Sequence, residues 1–117
     1  MRLAEVAEEL KLRELTPQIT CDADLTGGYA SDLLSDVLAH APVGGVLITL
    51  QVHLNVIAVA SHAGLQAVIF ASDRVPEQDV IDRAAGEGLA LFVSPADTFE
   101  IAGRLYQAGI RGRFQDG

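Results

Sequence analysis

Polar side chains that could bind a ligand or transfer protons follow the apolar runs of the sequence. Gln51, His53 and Asn55 end or follow the run GVLITLQV, and Asp73 follows LQAVIFAS. His53 is the strongest single candidate, because imidazole titrates near neutral pH and can act as a general base. The alternative is a structural histidine that hydrogen-bonds the backbone near a helix start. The sequence leaves both interpretations open.

The segment CDADLTGGYASDLLSDV, residues 21–37, combines four aspartates with a glycine pair. Four carboxylates could hold a hard cation, but their spacing does not fit an EF-hand loop and no Glu closes the segment. Gly27 and Gly28 would let a phosphate or a second subunit approach the backbone closely. The segment lacks the Lys-Ser/Thr of a P-loop and the third glycine of a dinucleotide-binding loop. We therefore expect no metal, and Asp24, Thr26 and the glycine pair remain candidate ligand-binding residues.

The sequence contains no recognisable set of nucleophile, base and orienting group. Gly-x-Ser-x-Gly and His-Glu-x-x-His motifs are absent, and the single cysteine, Cys21, has no histidine near it in sequence. We expect Cys21 to be a small buried residue rather than a nucleophile. Catalysis would require a convergent pair such as His53 with Asp24, within hydrogen-bond reach or one water apart. The expectation is a protein that is not an enzyme and needs no cofactor.

Composition and charge limit the classes of partner. The 117 residues suffice for one domain, and the absence of tryptophan means that aliphatic residues must build the core. A net charge of −8 disfavours nucleic acid and anionic membranes, which require clustered basic residues. Arg104, Arg111 and Arg113 form one small basic group, either an anion site or charge near a helix end. The lack of a long apolar run, a signal-peptide pattern or several cysteines predicts a cytoplasmic protein.

Three strand–helix units must position the candidate side chains. Apolar runs at 45–52, 65–72 and 89–94 predict strands, and the segments 55–64, 75–88 and 95–109 predict the helices that follow them. This alternation predicts parallel strands, whose carboxyl ends meet at one edge where ligands usually bind. Ser94 or Asp97 is expected to cap the last helix, because Asp97 and Glu100 have capping-box spacing.

The remaining segments are expected to complete one small domain. Residues 3–10 predict an amphipathic helix, 15–19 an edge strand, and 29–41 a helix on which Asp32 and Asp36 share a face. The predicted fold is a three-layer α/β/α sandwich with a mainly parallel sheet of about four strands. We expect one domain over 1–112 and a flexible tail over 113–117; alternatively, IRGRF, residues 110–114, adds an edge strand.

The order of three sequence blocks resembles the DRTGG-domain family. The blocks are DLTGGYASDLLSDVLAHA, VLITLQVHLNVIAVAS and TFEIAGRLYQAGI, and the resemblance covers residues 1–112. Leu25 stands where the family motif has arginine, so any anion contact made by that arginine is lost here. The resemblance implies a fold like that of the amino-terminal domain of HPr kinase/phosphorylase and a regulatory or dimer-forming role. It also implies accessory partners such as a hydrogenase subunit or a kinase.

Two functional hypotheses follow from these observations. The first is a non-catalytic regulatory or assembly module that acts as a homodimer, with an interface at the Gly27-Gly28 loop and the helix after it. The second is a sensor of a small anionic ligand, a nucleotide or an acyl phosphate, at the strand carboxyl ends. The candidate ligand-binding residues are Asp24, Thr26, Gly27, Gly28, Gln51, His53, Asn55 and Asp73.

Overall fold

A computed structural model describes residues 1–113, which form a five-stranded sheet between two layers of helices. In chain order the elements are α1 (Leu3–Glu9), β1 (Arg13–Glu14), β2 (Gly28–Ala30), α2 (Leu34–His40), β3 (Val46–Thr49), α3 (Leu54–His62), β4 (Ala67–Phe70), α4 (Gln78–Gly86), β5 (Ala90–Val93) and α5 (Thr98–Gln107). The strand order is β1-β5-β4-β3-β2; β2 to β5 are parallel and β1 is antiparallel to β5. The predicted α/β sandwich is confirmed.

The three central strands are β3, β4 and β5, and every residue in them is buried. Their side chains alternate between two apolar clusters, as the period of a strand requires. Phe92 packs with the residues of α1 and α5, whereas Phe70 packs with those of α2, α3 and α4. The continuous apolar runs of the sequence therefore reflect helices on both faces of the sheet.

The helices that connect parallel strands all lie on one face. Each of α2, α3 and α4 leads to the next strand in the same direction across the sheet, and right-handed crossovers then put all three on the same side. Among the helices that follow a parallel strand, α5 differs from the other three, because after β5 it crosses to the face on which α1 lies and packs against β2 and β3. This change of face decides where a ligand crevice could open.

The structure corrects two predicted elements at the sheet edges. The strand predicted over 15–19 lies earlier, at Arg13–Glu14, because residues 17–18 form a turn. The helix predicted over 29–41 begins only at Leu34, because Gly28–Ala30 form β2 and pair with Val46–Ile48. Asp32 therefore precedes the helix and shares no helix face with Asp36. These two short strands flank three central ones, so the sheet has five strands rather than about four.

The C-terminal predictions are resolved in part. Asp97 caps α5, since its Oδ1 accepts a hydrogen bond from the backbone N–H of Glu100 at 2.9 Å. Ser94 instead accepts from the N–H of Ala96. Residues 110–113 have no regular secondary structure, so the described part of the alternative edge strand does not form one. The rest of the predicted tail, 114–117, lies outside the described residues.

Thr16 completes the edge of the sheet beside β5. Its side chain is fully buried, and its Oγ1 accepts a hydrogen bond of 3.0 Å from the backbone N–H of Leu91. We expect Thr16→Val to lower the free energy of unfolding by about 1–2 kcal/mol, because it leaves a buried N–H without an acceptor. Thr16→Ser keeps the acceptor. Hydrogen exchange at the Leu91 amide should accelerate in the Val variant beyond its loss of global stability, and equal behaviour of both variants would contradict this role.

Candidate functional site

The glycine loop lies at the amino ends of the parallel strands, and the residues that follow β3 and β4 lie at the carboxyl ends. Gly28 is the first residue of β2 and pairs with Val46, the first residue of β3, so the loop before it lies at the amino-end edge. His53 follows the carboxyl end of β3, about 10 Å away along a four-residue strand. The structure therefore does not bring Thr26–Gly28 together with His53, Asn55 and Asp73, and the single site predicted from both groups is corrected.

The glycine pair makes its close approach to its own chain. A Cβ on Gly27 would lie 2.9 Å from the carbonyl oxygen of Arg111, and the N–H of Gly28 donates to that same oxygen at 3.0 Å. The carbonyl of Gly27 accepts from the N–H of Val46 at 3.0 Å, and Thr26 Oγ1 donates to the carbonyl of Val43 at 2.7 Å. The loop thus holds the segment after α5 against the start of the sheet.

Asp24 and Leu25 also lie at the amino ends of the parallel strands. Asp24 forms an isolated antiparallel bridge with Arg2, and its carboxylate lies 3.7 Å from the amino group of Met1. The proposed acid–base pair of Asp24 with His53 is therefore split between the two edges. Leu25 is 8% exposed and packs in the cluster of α1 and α5. Its side chain is thus an apolar core contact.

His53 acts as the N-cap of α3. Its Nδ1 accepts a hydrogen bond of 3.1 Å from the backbone N–H of Asn55. Because Nδ1 is an acceptor, the proton of the neutral ring is on Nε2, which can donate to a ligand. The structural interpretation of His53 is therefore confirmed, and a ligand-binding role for the other ring nitrogen stays a prediction.

Asp32 organises the carboxyl end of β3, a role that the sequence did not reveal. Its Oδ1 accepts from Thr49 Oγ1 at 3.0 Å and from the N–H of Leu50 at 2.7 Å, while Gln51 Nε2 donates to its backbone carbonyl at 3.2 Å. The side chain of Gln51, a predicted ligand contact, is thereby tied to the loop after β2. Recognising Gly28–Ala30 as a strand would have placed Asp32 at this edge with Gln51.

The loops after β4 and β5 close the crevice expected at this edge. The helices that follow these neighbouring strands lie on opposite faces, the arrangement that usually opens a ligand crevice. Here the N–H of Ser72 donates to the carbonyl of Ala96 at 2.8 Å, and that of Asp73 to the carbonyl of Ser94 at 2.9 Å. Ser72 and Asp73 adopt left-handed conformations, with φ of 57° and 55°, to make these bonds. The backbone of Asp73 thus joins two loops.

An open cleft remains between the first turns of α3 and α4. Its volume is about 560 Å³, within the range of small-molecule sites. The residues lining it are Gln51, Val52, His53, Leu54, Arg74, Val75, Glu77, Asp79 and Val80. Of the predicted ligand contacts it brings together Gln51 and His53, and it adds Arg74. Asn55 and Asp73 do not line it, and the two acids oppose the binding of an anion.

Tyr29, Asp36 and His40 form a separate polar cluster on the α2 side of the sheet. The Tyr29 hydroxyl donates to Asp36 Oδ2 at 2.8 Å, and His40 Nδ1 lies 3.0 Å from Asp36 Oδ1. The hydrogen bond from Tyr29, with smaller contributions from Ser31 and His40, lowers the pKa of Asp36. The same hydrogen bond raises the pKa of Tyr29, because it stabilises the neutral phenol beside a carboxylate.

This cluster predicts a pH dependence of stability in the acid range. A lowered pKa means that Asp36 stabilises the folded state above its unfolded value of about 3.9, and that this contribution is lost as pH falls through the lower folded pKa. Tyr29→Phe should raise the pKa of Asp36 toward its usual value and weaken this dependence. NMR titration of the Asp36 carboxyl carbon measures the change. Tyr106→Phe is the control, and equal titration curves in both variants would contradict the assignment.

The three arginines of the predicted basic group have separate partners. Arg104 Nε lies 3.2 Å from Glu100 Oε1, one helical turn earlier on α5. Arg111 stacks on the ring of Tyr106, with 3.9 Å between guanidinium carbon and ring centroid, and Arg113 donates to the carbonyl of His40. The three arginines therefore do not converge on one anion site. They are charges near a helix end, and one of them is stacked on an aromatic ring.

The cysteine thiol, metal binding and membrane spans are the remaining features to consider. Cys21 is half-buried beside the cluster of α1 and α5, and desolvation raises the pKa of its thiol, which disfavours the nucleophilic thiolate. Within residues 1–113, no group of three or more His, Cys, Asp or Glu side chains is arranged to hold a metal ion. In the part of the chain that the structure describes, no helix has the length and apolar character needed to cross a membrane.

Comparisons with known proteins identify the fold. No protein-family model and no curated protein matches the chain. Among solved structures, it is similar to the CBS and DRTGG domains of the regulatory region of Clostridium perfringens pyrophosphatase, complexed with the activator diadenosine tetraphosphate. The match has a TM-score of 0.68 and 13% identity, and it covers 91% of this chain but only 46% of that one. At this identity the likeness is one of fold, and the chain has the DRTGG-like α/β fold that its sequence blocks predict.

Proposed function

We propose that this chain is a non-catalytic regulatory or assembly module that acts as a homodimer. The observation that carries the proposal is the outer side of α5, where Phe99 is 87% exposed and Tyr106 is 60% exposed. Large aromatic side chains are enriched in protein–protein interfaces, where their burial contributes much of the binding energy. A helix that presents two aromatic side chains to water is better suited to binding another polypeptide than to catalysing a reaction.

The polar candidates support a binding module rather than a catalyst. Gly27 and Gly28 contact the segment after α5, His53 caps a helix, and the backbone of Asp73 joins two loops. The fold is also found in the regulatory region of a pyrophosphatase. Two further expectations are part of this proposal. A cytoplasmic location follows from the composition, and a larger enzyme or signalling system as the partner, such as a hydrogenase or a kinase, follows from the sequence resemblance.

Sedimentation velocity of the purified chain tests the homodimer. We expect a species of twice the chain mass at micromolar concentration, with reversible dissociation on dilution. A single species of the monomer mass at every concentration up to the high-micromolar range would overturn the homodimer.

A second candidate function is a sensor of a nucleotide or an acyl phosphate at the cleft between α3 and α4. The specific observation in its favour is that His53 and Arg74, two potential donors to phosphate oxygens, line one cleft together with Gln51. The similar pyrophosphatase regulatory region is complexed with a nucleotide activator, which makes nucleotides the first ligands to test. Glu77 and Asp79 on the same cleft predict weak binding in the absence of a divalent cation.

A thermal-shift series tests this sensor. Nucleotides and acetyl phosphate, each with and without Mg²⁺, should raise the melting temperature of the wild-type chain. The shift should be lost in Arg74→Ala and His53→Ala but retained in His62→Ala, which removes an exposed histidine at the other end of the same helix. The absence of any shift, or a shift that all three variants retain, would exclude this cleft as the binding site.

A further inference from the structure

The outer side of α5 contains three residues that would face a second helix. Phe99, Gly103 and Tyr106 follow one another at intervals of four and three residues, so they form one stripe along the helix, called the α5 face from here on. All three are exposed, whereas Ile101 and Leu105 on the inner side are buried in the core. Arg111 stacks on the ring of Tyr106, but packing within this chain explains neither the exposure of Phe99 nor the glycine at position 103.

No steric constraint within the monomer requires glycine at position 103. It lies in the middle of a ten-residue helix, where glycine is less favourable than alanine, and a Cβ built on it meets no atom within 4 Å. Gly27 and Gly45, by contrast, would clash with backbone atoms of this chain if they carried a Cβ. A glycine on an exposed helix face allows the backbone of another helix to approach closely.

An apolar cleft lies next to the α5 face, between α5 and the edge strand β2. Its volume is about 170 Å³, and Gly28, Ala30, Ile48, Leu105, Tyr106 and Ile110 contribute to its lining. The cleft exists because β2 contributes a glycine and an alanine on this side of the sheet, and they leave room beside Ile48. A cavity of about 150 Å³ holds a benzene molecule, so an aromatic ring fits this cleft.

We infer that the partner of the α5 face is a second copy of this chain, packed antiparallel across a two-fold axis at Gly103, with Phe99 of each copy in the cleft of the other. This inference rests on the proposed homodimer and assigns its interface. In such a pair, Phe99 lies four residues before the axis and so faces the level of residue 107 in the second copy. That level is beside Tyr106 and Ile110, which line the cleft. Phe99 and the cleft that would receive it thus lie on the same surface, at matching distances from the two-fold axis.

Charge complementarity supports the antiparallel arrangement. Glu100 precedes Gly103 and Arg104 follows it, and both side chains are about half exposed. Within each copy these two side chains already pair, with 3.2 Å between Arg104 Nε and Glu100 Oε1. An antiparallel crossing at Gly103 keeps Glu100 of each copy within a few residues of Arg104 of the other, so the two helices bring balanced charge to the crossing. Helix α4, in contrast, carries Asp79 and Asp82 in addition to the ion pair of Arg83 with Glu87, so its exposed side has an excess of negative charge and two such surfaces would repel one another in a chain of net charge −8.

Sedimentation equilibrium of three variants tests the interface. Phe99→Ala and Gly103→Leu should each weaken dimerisation about tenfold or more, since one removes the anchor and the other blocks the crossing. Leu38→Ala, at an exposed apolar position on α2, is the matched control and should leave the dimerisation constant unchanged. A monomeric wild-type chain would overturn the homodimer itself. A wild-type dimer whose constant is unchanged in both α5 variants would overturn only the interface inferred here.

Cross-linking gives a second test that does not depend on weakened binding. In a Cys21→Ser background, Gly103→Cys places one thiol of each copy next to the two-fold axis, and mild oxidation should yield a covalent dimer. Gly86→Cys is the control, because Gly86 lies on the far side of the sheet, is also exposed, and would meet no atom within 4 Å if it carried a Cβ. Equal cross-linking of both variants, or none in a chain that sediments as a dimer, would contradict a crossing at Gly103.

Discussion

Replacing Phe70 with alanine is expected to lower the free energy of unfolding by about 3–5 kcal/mol. Phe70 is fully buried at the carboxyl end of the central strand β4, in the cluster formed with α2, α3 and α4. The substitution removes the buried ring and leaves a cavity that the neighbouring strands cannot fill, because each is fixed by parallel pairing. Since domains of this size are stable by about 5–15 kcal/mol, the variant should unfold at much lower urea concentration.

Phe99→Ala is the matched control for this measurement, because it deletes the same ring from a site that is 87% exposed. Measured at low concentration, where self-association contributes little, Phe99→Ala should change the stability of the monomer by no more than about 0.5 kcal/mol. Similar losses in both variants would mean that the two phenylalanines have similar surroundings in the monomer, and the assignment of Phe70 to the core would be wrong.

The central part of the fold could be predicted because burial on two faces leaves a strong pattern. Each of β3, β4 and β5 is a continuous apolar run, and each is followed by a helix with a recognisable end, such as Gly64 or Gly88 at positive φ. The edge strands leave no such pattern. β1 consists of two exposed charged residues, and β2 is Gly-Tyr-Ala, whose pairing with β3 depends on contacts distant in sequence.

The missed strand β2 also explains why the candidate site was grouped incorrectly. A helix over 29–41, as the sequence pattern predicts, leaves the glycine loop without a fixed position relative to the sheet and puts Asp32 on a helix face. As a strand, Gly28–Ala30 place Thr26–Gly28 before the sheet and Asp32 after it, beside Thr49 and Gln51. The residue types at the carboxyl edge were visible in the sequence. The hydrogen bonds between loops, which decide what those residues are free to do, were not.

Gly45 is expected to tolerate an added side chain less well than Gly27 does at this amino end of the sheet. A Cβ on Gly45 would lie 2.7 Å from Pro42 Cγ and 2.8 Å from the carbonyl oxygen of Gly27. Neither can yield easily, since the proline ring is rigid and the carbonyl of Gly27 accepts a hydrogen bond from the N–H of Val46 at the start of β3. We expect Gly45→Ala to lower the free energy of unfolding by about 2–3 kcal/mol, as measured by urea denaturation.

Comparison with Gly27→Ala and Gly86→Ala separates the causes of this loss. The Cβ of Gly27→Ala would meet mainly the carbonyl of Arg111, at 2.9 Å, and the segment after α5 can move away because it has no regular secondary structure. Gly27→Ala should therefore lower the free energy of unfolding less than Gly45→Ala does. Its local effect should be faster hydrogen exchange at the Gly28 amide and at the amides of residues 110–112. Gly86→Ala, with open space around it, should leave stability unchanged or raise it. If Gly27→Ala proved the most harmful of the three, the glycine pair would have a stricter role than holding the segment after α5. If all three were neutral, the close contacts that define this edge would be wrong.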